Sequence, residues 1–248
     1  MSTPQLIILI TVFFVTSIIS VITGSTSLIT IPIMLQIGIE PHTALATNMM
    51  ALTFMSIGAT LPFLKQKTIN LSRLPNLITL TLMGSGIGAG LLLIVPSQAL
   101  PKLVSVFMII VVIFSFFNYQ AGVIPEDKPS IINRIAGYFA TFILGIYGGF
   151  FSGGYVTMLT AAYVGFFRMT YVEAISTTKL VNVFSSLVAT TIFALNGIID
   201  HLLGIILSIT MFIGGIIGSK IALKINNLWL RRIFLITVIT LAFKTMIG

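Results

Sequence analysis

Residues 5–38 read QLIILITVFFVTSIISVITGSTSLITIPIMLQIG, an apolar stretch whose middle is interrupted by small and hydroxyl-bearing residues. The interruption is Thr23-Gly24-Ser25-Thr26-Ser27, and the apolar segment that follows it, 26–38, has only about a dozen residues. A helix of that length measures roughly 20 Å, too little for a hydrocarbon core of about 30 Å. The stretch is therefore either one bent membrane span or a hairpin that enters and leaves on the same side.

The same arrangement recurs in the second half of the chain. Residues 133–167 are also apolar and are interrupted by Ser152-Gly153-Gly154. Ala44-Leu45-Ala46-Thr47 is echoed by Ala174-Ile175-Ser176-Thr177, an offset of 130 (174 − 44). Further pairs at this offset are Gly24 and Gly154, Phe54 and Phe184, Ser56 and Ser186, Gly84 and Gly214, and Gly88 and Gly218. Matched small and polar residues at one offset predict an internal repeat.

The remainder of the chain is equally apolar. Of its 248 residues, 57% are hydrophobic and only 7% are charged. A soluble domain carries about a quarter charged residues, so lipid must be the solvent for most of this surface. Further apolar stretches lie at 42–64, 74–95, 100–118, 171–197, 201–223 and 229–247.

The most polar loop, GVIPEDKPSIIN at 122–133, divides the chain near its midpoint. Prolines and consecutive charges are typical of a connection between units. We predict a first membrane repeat at 1–121, a linker at 122–132 and a second membrane repeat at 133–248. Each repeat contains the interrupted pair of segments followed by three transmembrane helices, so the expected fold is an all-α polytopic membrane protein.

The basic residues help to decide between a bent span and a hairpin, because positive charges accumulate on the cytoplasmic side of a membrane. With bent spans, the twelve basic residues other than Lys179 divide six to six between the two sides. With hairpins they divide ten to two, and only Lys102 and Lys244 lie on the minority side. The bias favours hairpins and two inverted repeats in a multi-pass protein of the cell inner (plasma) membrane. Both termini are predicted outside and the linker in the cytoplasm.

The two interruptions point to a binding site, since broken helices at matching positions of inverted repeats recur in transporters. A short helix is expected to begin at each, at about 25–28 and 154–156. The first N–H groups of a helix carry a partial positive charge, so two such ends that meet would attract an anion. The candidate residues at the interruptions are Gly24, Ser25, Thr26, Ser27, Ser152, Gly153 and Gly154. Alternatively, these small residues only allow close helix packing.

Lys179 is the charged residue that lies deepest in an apolar stretch, within Thr177-Thr178-Lys179-Leu180-Val181-Asn182. An ammonium group inside a membrane span is costly and usually faces a functional cavity, so we predict a counter-charge for an anionic substrate. The alternative is a lysine that snorkels to the nearby interface. Neutral hydrogen-bonding groups around the same cavity are predicted from Thr47, Asn48, Thr177, Thr178 and Asn182.

Other classes of function find little support in the sequence. With no cysteine, thiolate metal sites and cysteine catalysis are excluded, and neither a metal-ligand cluster nor a Walker-type loop is present. Residues 149–153, GFFSG, lack the G-x-S-x-G spacing of a hydrolase. The net charge of +8 comes from scattered basic residues at segment ends, which argues against nucleic-acid binding. We predict a transporter without cofactor or metal, with an anion-selective channel as the alternative.

The chain resembles the TauE/SafE family of bacterial sulfite and organosulfonate exporters. The resemblance rests on GSTSLITIPIMLQIGIEPHTALATNMM (24–50), GIYGGFFSGGYVTMLTAAYV (145–164) and EAISTTKLVNVFSSLVA (173–189). It implies secondary export of a small sulfur-containing or carboxylate anion. Many family members carry a richer glycine run at the position of 24–27, a departure that bears on the identity of the substrate. A coupling ion, proton or sodium, and the oligomeric state are left open.

Overall fold

The structure, a computed structural model, describes residues 2–24, 26–69, 71, 73–100, 102–103, 106, 129–226, 228–230 and 232–233. Within these ranges the chain is helical and contains no strand. The eight helices are α1 (Thr3–Thr23), α2 (Ser27–Gln36), α3 (Pro41–Lys65), α4 (Leu74–Ile94), α5 (Ile131–Phe150), α6 (Tyr155–Phe167), α7 (Tyr171–Leu195) and α8 (His201–Ala222). The all-α prediction is confirmed.

Six of the described helices, α1, α3, α4, α5, α7 and α8, are long and apolar enough to cross a membrane. They contain 20 to 25 residues each, which corresponds to roughly 30 Å or more of helix. The prediction of a multi-pass membrane protein is thus confirmed. Four of these helices coincide with predicted full spans. The other two predicted spans, 100–118 and 229–247, lie largely outside the described residues.

The helix ends follow from local chemistry. The chain breaks after α1 at Gly24 and before α6 at Gly154, with φ angles of 75° and 76°, a conformation that glycine adopts at little cost. These two glycines are one repeat offset apart. Elsewhere side chains cap the helices, as where Thr170 and Glu173 form a reciprocal capping box at the start of α7.

Contacts between helices fix the relative directions of α1, α3 and α8. Helices α1 and α8 are parallel, because Gly214 packs against Ser17 and Gly218 against Ile18. Helices α3 and α8 are also parallel, with Asp200 bonded near the start of α3 and Phe212 packed against Gly58 farther along.

The short helix α2 runs in the opposite direction to α3. The Thr26 hydroxyl at its start contacts Met55 in the middle of α3, whereas Thr30 bonds Asn48 nearer the beginning of α3. Because α1 is parallel to α3, α1 and α2 run in opposite directions. They form a hairpin, not one bent span.

The second hairpin is seen in direct contacts between its own arms. Gly148 packs against Tyr155 near the turn, and Gly137 packs against Phe167 at the far end. Helices α5 and α6 are therefore antiparallel. The long arms, α1 and α5, are each long enough to span a membrane, while the returning arms, α2 and α6, have 10 and 13 residues.

The equivalent helices α3 and α7 are antiparallel, since Ser56 bonds Asn182 and Thr53, one turn earlier, bonds Thr190. This is the arrangement that inverted repeats require. The inverted relationship itself and the orientation in the membrane stay predictions. So do the repeat boundaries, because most of the linker at 122–132 lies outside the described residues.

Candidate functional site

The two hairpin tips contact each other inside the helix bundle. The Thr157 hydroxyl, in the first turn of α6, donates a 2.6 Å hydrogen bond to the carbonyl oxygen of Thr23, the last residue of α1. Gly24 packs against the backbone of Val156 and Thr157 so closely that a Cβ atom there would overlap it. The hairpin tips of the two halves are thus joined by a hydrogen bond and by close backbone packing.

The tips lie at about the middle of the long helices. The hydroxyl groups of Thr26 and Ser20 contact each other. Both also contact the sulfur of Met55, which lies near the middle of α3. Lys179, which belongs to the first half of α7, reaches the same place and bonds Ser20. Residues of α1, α3 and α7 therefore meet at this place, and Ser20, Thr26 and Lys179 are all buried there.

A small cavity, which we call the cradle, lies between the tips. Its volume is about 10 Å³, room for about one water molecule. Six of the thirteen predicted site residues line it: Gly24, Thr26, Ser27, Ser152, Lys179 and Asn182. The remaining lining residues, Leu52, Met55 and Val156, are apolar. Among the described lining residues there is no carboxylate, and Lys179 is the one that carries a formal charge.

Lys179 is buried inside the bundle with 2% of its surface exposed. Its ammonium group donates a 2.9 Å hydrogen bond to the Ser20 carbonyl oxygen. The side chain does not extend to the membrane surface, as a snorkelling lysine would. An ammonium group can donate three hydrogen bonds, and this carbonyl is the one acceptor that it contacts among the described residues.

Two predicted residues hold the returning arms in place. Asn48 accepts a hydrogen bond from Thr30 at 2.7 Å and donates one to Ser27 at 2.9 Å. Thr178 bonds Thr160 at 3.2 Å, and these two residues are the counterparts of Asn48 and Thr30 at the repeat offset. The pairs fasten α2 to α3 and α6 to α7, so they position the tips without lining the cradle.

Thr47 and Thr177 are not brought to the cradle. The Thr47 hydroxyl accepts a hydrogen bond of 3.1 Å from the backbone N–H of Asp200, just before α8. Thr177 is two residues before Lys179, which places it about 200° around the helix from that lysine. Its buried hydroxyl has no hydrogen-bond partner among the described residues.

The remaining predicted residues belong to the second tip or lie outside the description. The Gly153 carbonyl accepts a hydrogen bond from the Tyr147 hydroxyl, and Gly153 packs on the Phe151 ring. Gly154 precedes α6 and supplies the left-handed turn. Ser25 lies outside the described residues.

Three polar residues of the site were not predicted from the sequence. Ser20 supplies the carbonyl that Lys179 bonds, Ser56 accepts a 2.7 Å hydrogen bond from the Asn182 amide, and Thr157 joins the tips. Ser56 matches Ser186 at the repeat offset, which was a usable signal. Thr157 is the repeat counterpart of Ser27 and could have been found in the same way.

The arrangement has the chemistry of an anion site. One buried ammonium group, the amide of Asn182 and hydroxyl groups from both tips face one small space, and two helices begin beside it. Among the described residues no group of three or more histidine or acidic side chains could hold a metal ion.

Comparison with known proteins finds relatives that are all named probable membrane transporter proteins. A probable membrane transporter protein of Haemophilus influenzae is 26% identical over 219 residues, which is 88% of this chain and 85% of that protein. The probable membrane transporter protein YfcA of Escherichia coli K12 is 26% identical over 224 residues, 90% of this chain and 82% of the relative. The probable membrane transporter protein ORF9 of Sinorhizobium sp. is 26% identical over 235 residues, which is 93% of this chain and 88% of that protein. No solved structure matches the chain.

The family model described as "Sulfite exporter TauE/SafE" matches residues 8–245, nearly the whole chain. This match confirms the resemblance seen in the three sequence segments. It also confirms the prediction of a transporter and not an enzyme, because the family is described as a sulfite exporter and the relatives are named probable membrane transporter proteins. With six candidate spans and a family match of this extent, the chain is a multi-pass membrane transporter that belongs to the sulfite exporter TauE/SafE family.

Proposed function

We propose that this transporter is a secondary exporter of a small oxoanion, such as sulfite, an organosulfonate or a related sulfur-containing or carboxylate anion, and that the anion binds in the cradle. The observation that carries the proposal is Lys179, a buried ammonium group between two hairpin tips that contacts one acceptor among the described residues. A buried charge of this kind is stabilised strongly by an anion of opposite sign.

The neighbouring groups suit an oxoanion better than a halide. A sulfite or sulfonate has several acceptor oxygens, and the cradle offers hydrogen-bond donors in several directions. Lys179 faces it from α7, Thr26 and Ser27 from the first tip, and Ser152 from the second. Charge-assisted hydrogen bonds from an ammonium group are the strongest of these contacts. A carboxylate could use fewer of these donors, so we expect a preference for the sulfur oxoanions.

The size of the cradle supports a transporter over a channel. A space for about one water molecule cannot hold sulfite or any organic anion, so the cradle must widen for the substrate to enter. In alternating access, this widening occurs toward one side of the membrane at a time. The tips would separate from α3 and α7 on one side while the contact on the other side remains closed.

The orientation proposed from the basic residues completes the mechanism. Both termini lie outside, the linker is cytoplasmic, and the protein resides in the cell inner (plasma) membrane. Inverted repeats would then exchange their conformations as the cradle opens to one side and closes to the other. Proton or sodium coupling would supply the driving force.

The test is flux of labelled sulfite and ethanesulfonate into proteoliposomes. Wild type is compared with Lys179→Gln and with Lys102→Gln, a control that removes a positive charge outside the cradle. We expect saturable flux in wild type and the control, and a decrease of about 30-fold or more in Lys179→Gln. Unchanged saturable flux in Lys179→Gln would contradict the role of the lysine. Flux that does not saturate would favour a channel, and absence of flux of both anions would contradict the substrate class.

A further inference from the structure

A second and much larger cavity lies where α3 and α8 end and α7 begins. We call it the vestibule. Its volume is about 690 Å³. The polar residues that line it are Lys65, Gln66, Thr68, Lys220, Lys224 and Asn226, and none of the lining residues that the structure describes is acidic. Three lysines therefore share the wall of one cavity, with no carboxylate among its described lining residues.

The vestibule and the cradle share two helices. Along α3, Met55 of the cradle is seven residues (62 − 55) from Pro62 of the vestibule. Along α7, Lys179 is likewise seven residues (179 − 172) from Val172. Seven residues of helix correspond to about 10 Å. Because α3 and α7 are antiparallel, both helices lead from the cradle toward the vestibule.

A thin layer of side chains separates the two cavities. Ser176, between Val172 and Lys179, donates a 3.2 Å hydrogen bond to the carbonyl oxygen of Thr68, which lines the vestibule. On α3, Phe63 follows Pro62 of the vestibule and is fully buried. Only about two helical turns would have to rearrange for the cavities to join.

Helix ends alone do not account for the three lysines. Lys65 and Lys220 are in the last turns of α3 and α8, where a positive charge favours the helix dipole. The interaction with the dipole explains why a lysine lies at each helix end. It would be just as favourable if the side chain pointed toward lipid headgroups and not into the cavity. It does not require three lysines to share one cavity. A concave surface of one charge sign concentrates counter-ions far more than scattered charges do.

We propose that the vestibule is an anion-collecting site, in which Lys65, Lys220 and Lys224 hold a small sulfonate- or phosphate-like oxoanion before it passes to the cradle. The proposal rests on the proposed function only in assigning the cradle as the destination. The same chemistry would bind either a free oxoanion or the phosphate of an anionic lipid, and the experiment separates the two.

The chain contains a built-in probe beside the vestibule. Trp229 is its only tryptophan, it is half-exposed, and its backbone N–H donates a 2.9 Å hydrogen bond to the side chain of Asn226, a vestibule residue. Iodide quenches tryptophan fluorescence by collision and reports the local anion concentration, whereas neutral acrylamide reports exposure alone. The ratio of the two quenching constants isolates the electrostatic effect. Arg232, 4.8 Å from the ring, contributes the same background in every variant.

The experiment uses the full chain in nanodiscs of zwitterionic lipid at low salt. In the variant Lys65→Gln/Lys220→Gln/Lys224→Gln, we expect the iodide-to-acrylamide ratio to fall about threefold, with the difference shrinking in high salt. The charge-matched control, Lys67→Gln/Lys102→Gln/Arg134→Gln, removes three positive charges outside the vestibule and should retain most of the ratio. Equal decreases in the two triple variants would overturn the proposal, because they would show a diffuse surface potential.

Ethanesulfonate and lipid composition identify the ligand. For a free-oxoanion site, millimolar ethanesulfonate should protect Trp229 from iodide more than chloride does at equal ionic strength. If a lipid phosphate occupies the vestibule, phosphatidylglycerol nanodiscs will abolish both the iodide preference and the protection, and the collecting role is overturned.

Flux measurements keep this proposal separate from the proposed function. The triple vestibule variant should raise the KM for anion flux about fivefold at low salt and leave kcat close to wild type. If the two triple variants differ in the iodide-to-acrylamide ratio but the wild-type protein shows no anion flux, the proposed substrate is contradicted and the vestibule remains an anion site. Normal flux without any quenching contrast would overturn the vestibule and leave the cradle proposal standing.

Discussion

The hydroxyl group of Thr157 donates a 2.6 Å hydrogen bond to the carbonyl oxygen of Thr23, across 134 residues of sequence. This bond joins the start of one returning arm to the end of the other hairpin's long arm. It is therefore a direct link between the two halves at the place where the candidate substrate site lies. A conformational change that separates the tips must break or shift it.

We predict that Thr157→Val weakens this link, because valine has the shape of threonine but no donor. Within a membrane protein, loss of such a bond costs about 1 kcal/mol of stability. Thermal unfolding in detergent should show a lower Tm, and Thr157→Ser, which keeps the hydroxyl group, should remain close to wild type. An equal loss in both variants would mean that the methyl packing matters and the hydrogen bond does not.

The hairpins were predictable because they depend on local signals. Small and hydroxyl-bearing residues around Gly24 and Gly154 interrupt an apolar stretch, and the short arm that follows each of them cannot cross a bilayer. The distribution of the basic residues then favoured a hairpin over one bent span. These features do not require knowledge of which helices are neighbours.

The site was predicted less completely because its geometry depends on helix rotation and on distant contacts. Thr177 is close to Lys179 in sequence, but the helical repeat turns it to another face. Thr47 bonds the backbone of Asp200, a partner that sequence spacing does not reveal. Thr157 could have been found by its offset of 130 from Ser27, but its bond to the carbonyl oxygen of Thr23 could not be read from sequence spacing.

Close packing between α4 and α5 gives a second prediction. A Cβ atom at Gly88 would overlap the carbonyl oxygen of Ile146, whereas one at Gly90 would meet nothing within 4 Å. Gly88→Ala must therefore push the two helices apart, at an expected cost of about 1–3 kcal/mol, while Gly90→Ala should be neutral. Thermal unfolding of both variants measures the difference. If both unfold at the wild-type temperature, the tight contact at Gly88 is not present.

Glu40, just before α3, gives a prediction for pH. Partial burial opposes its ionisation, but hydrogen bonds from Ser97, Thr43 and His42 outweigh that effect and lower the pKa of Glu40 from 4.5 to about 2. A lowered folded-state pKa contributes stability that is complete above pH 4.5 and is lost as the pH falls toward about 2. Because half of the Glu40 side chain is exposed, the contribution is small.

Replacing Glu40 with glutamine should remove this dependence. The Tm difference between wild type and Glu40→Gln is expected to be largest above pH 4.5 and to narrow between pH 4.5 and pH 2, with Tm measured in detergent across that range. Gln98→Glu, which adds a carboxylate next to Ser97 in the connection after α4, serves as a charge control that should not reproduce the pattern. A difference that is constant with pH would show that ionisation of Glu40 is not linked to folding.

Lys179 should show opposite effects on stability and on transport. Its ammonium group is buried and contacts one acceptor among the described residues, so these residues compensate its desolvation poorly. Lys179→Met keeps the length of the side chain and removes the charge. We expect the variant to unfold at the same or a higher temperature, by the equivalent of about 1 kcal/mol, and to lose saturable anion flux. Leu180→Met, a neighbouring substitution on the same helix, should change neither property.

Sulfite or ethanesulfonate should raise the Tm of wild type but not of Lys179→Met, because a ligand stabilises only the state that binds it. A large loss of stability in Lys179→Met would instead assign the lysine a structural role through its bond to Ser20, and the anion site would then have to rest on the hydroxyl groups of the tips alone.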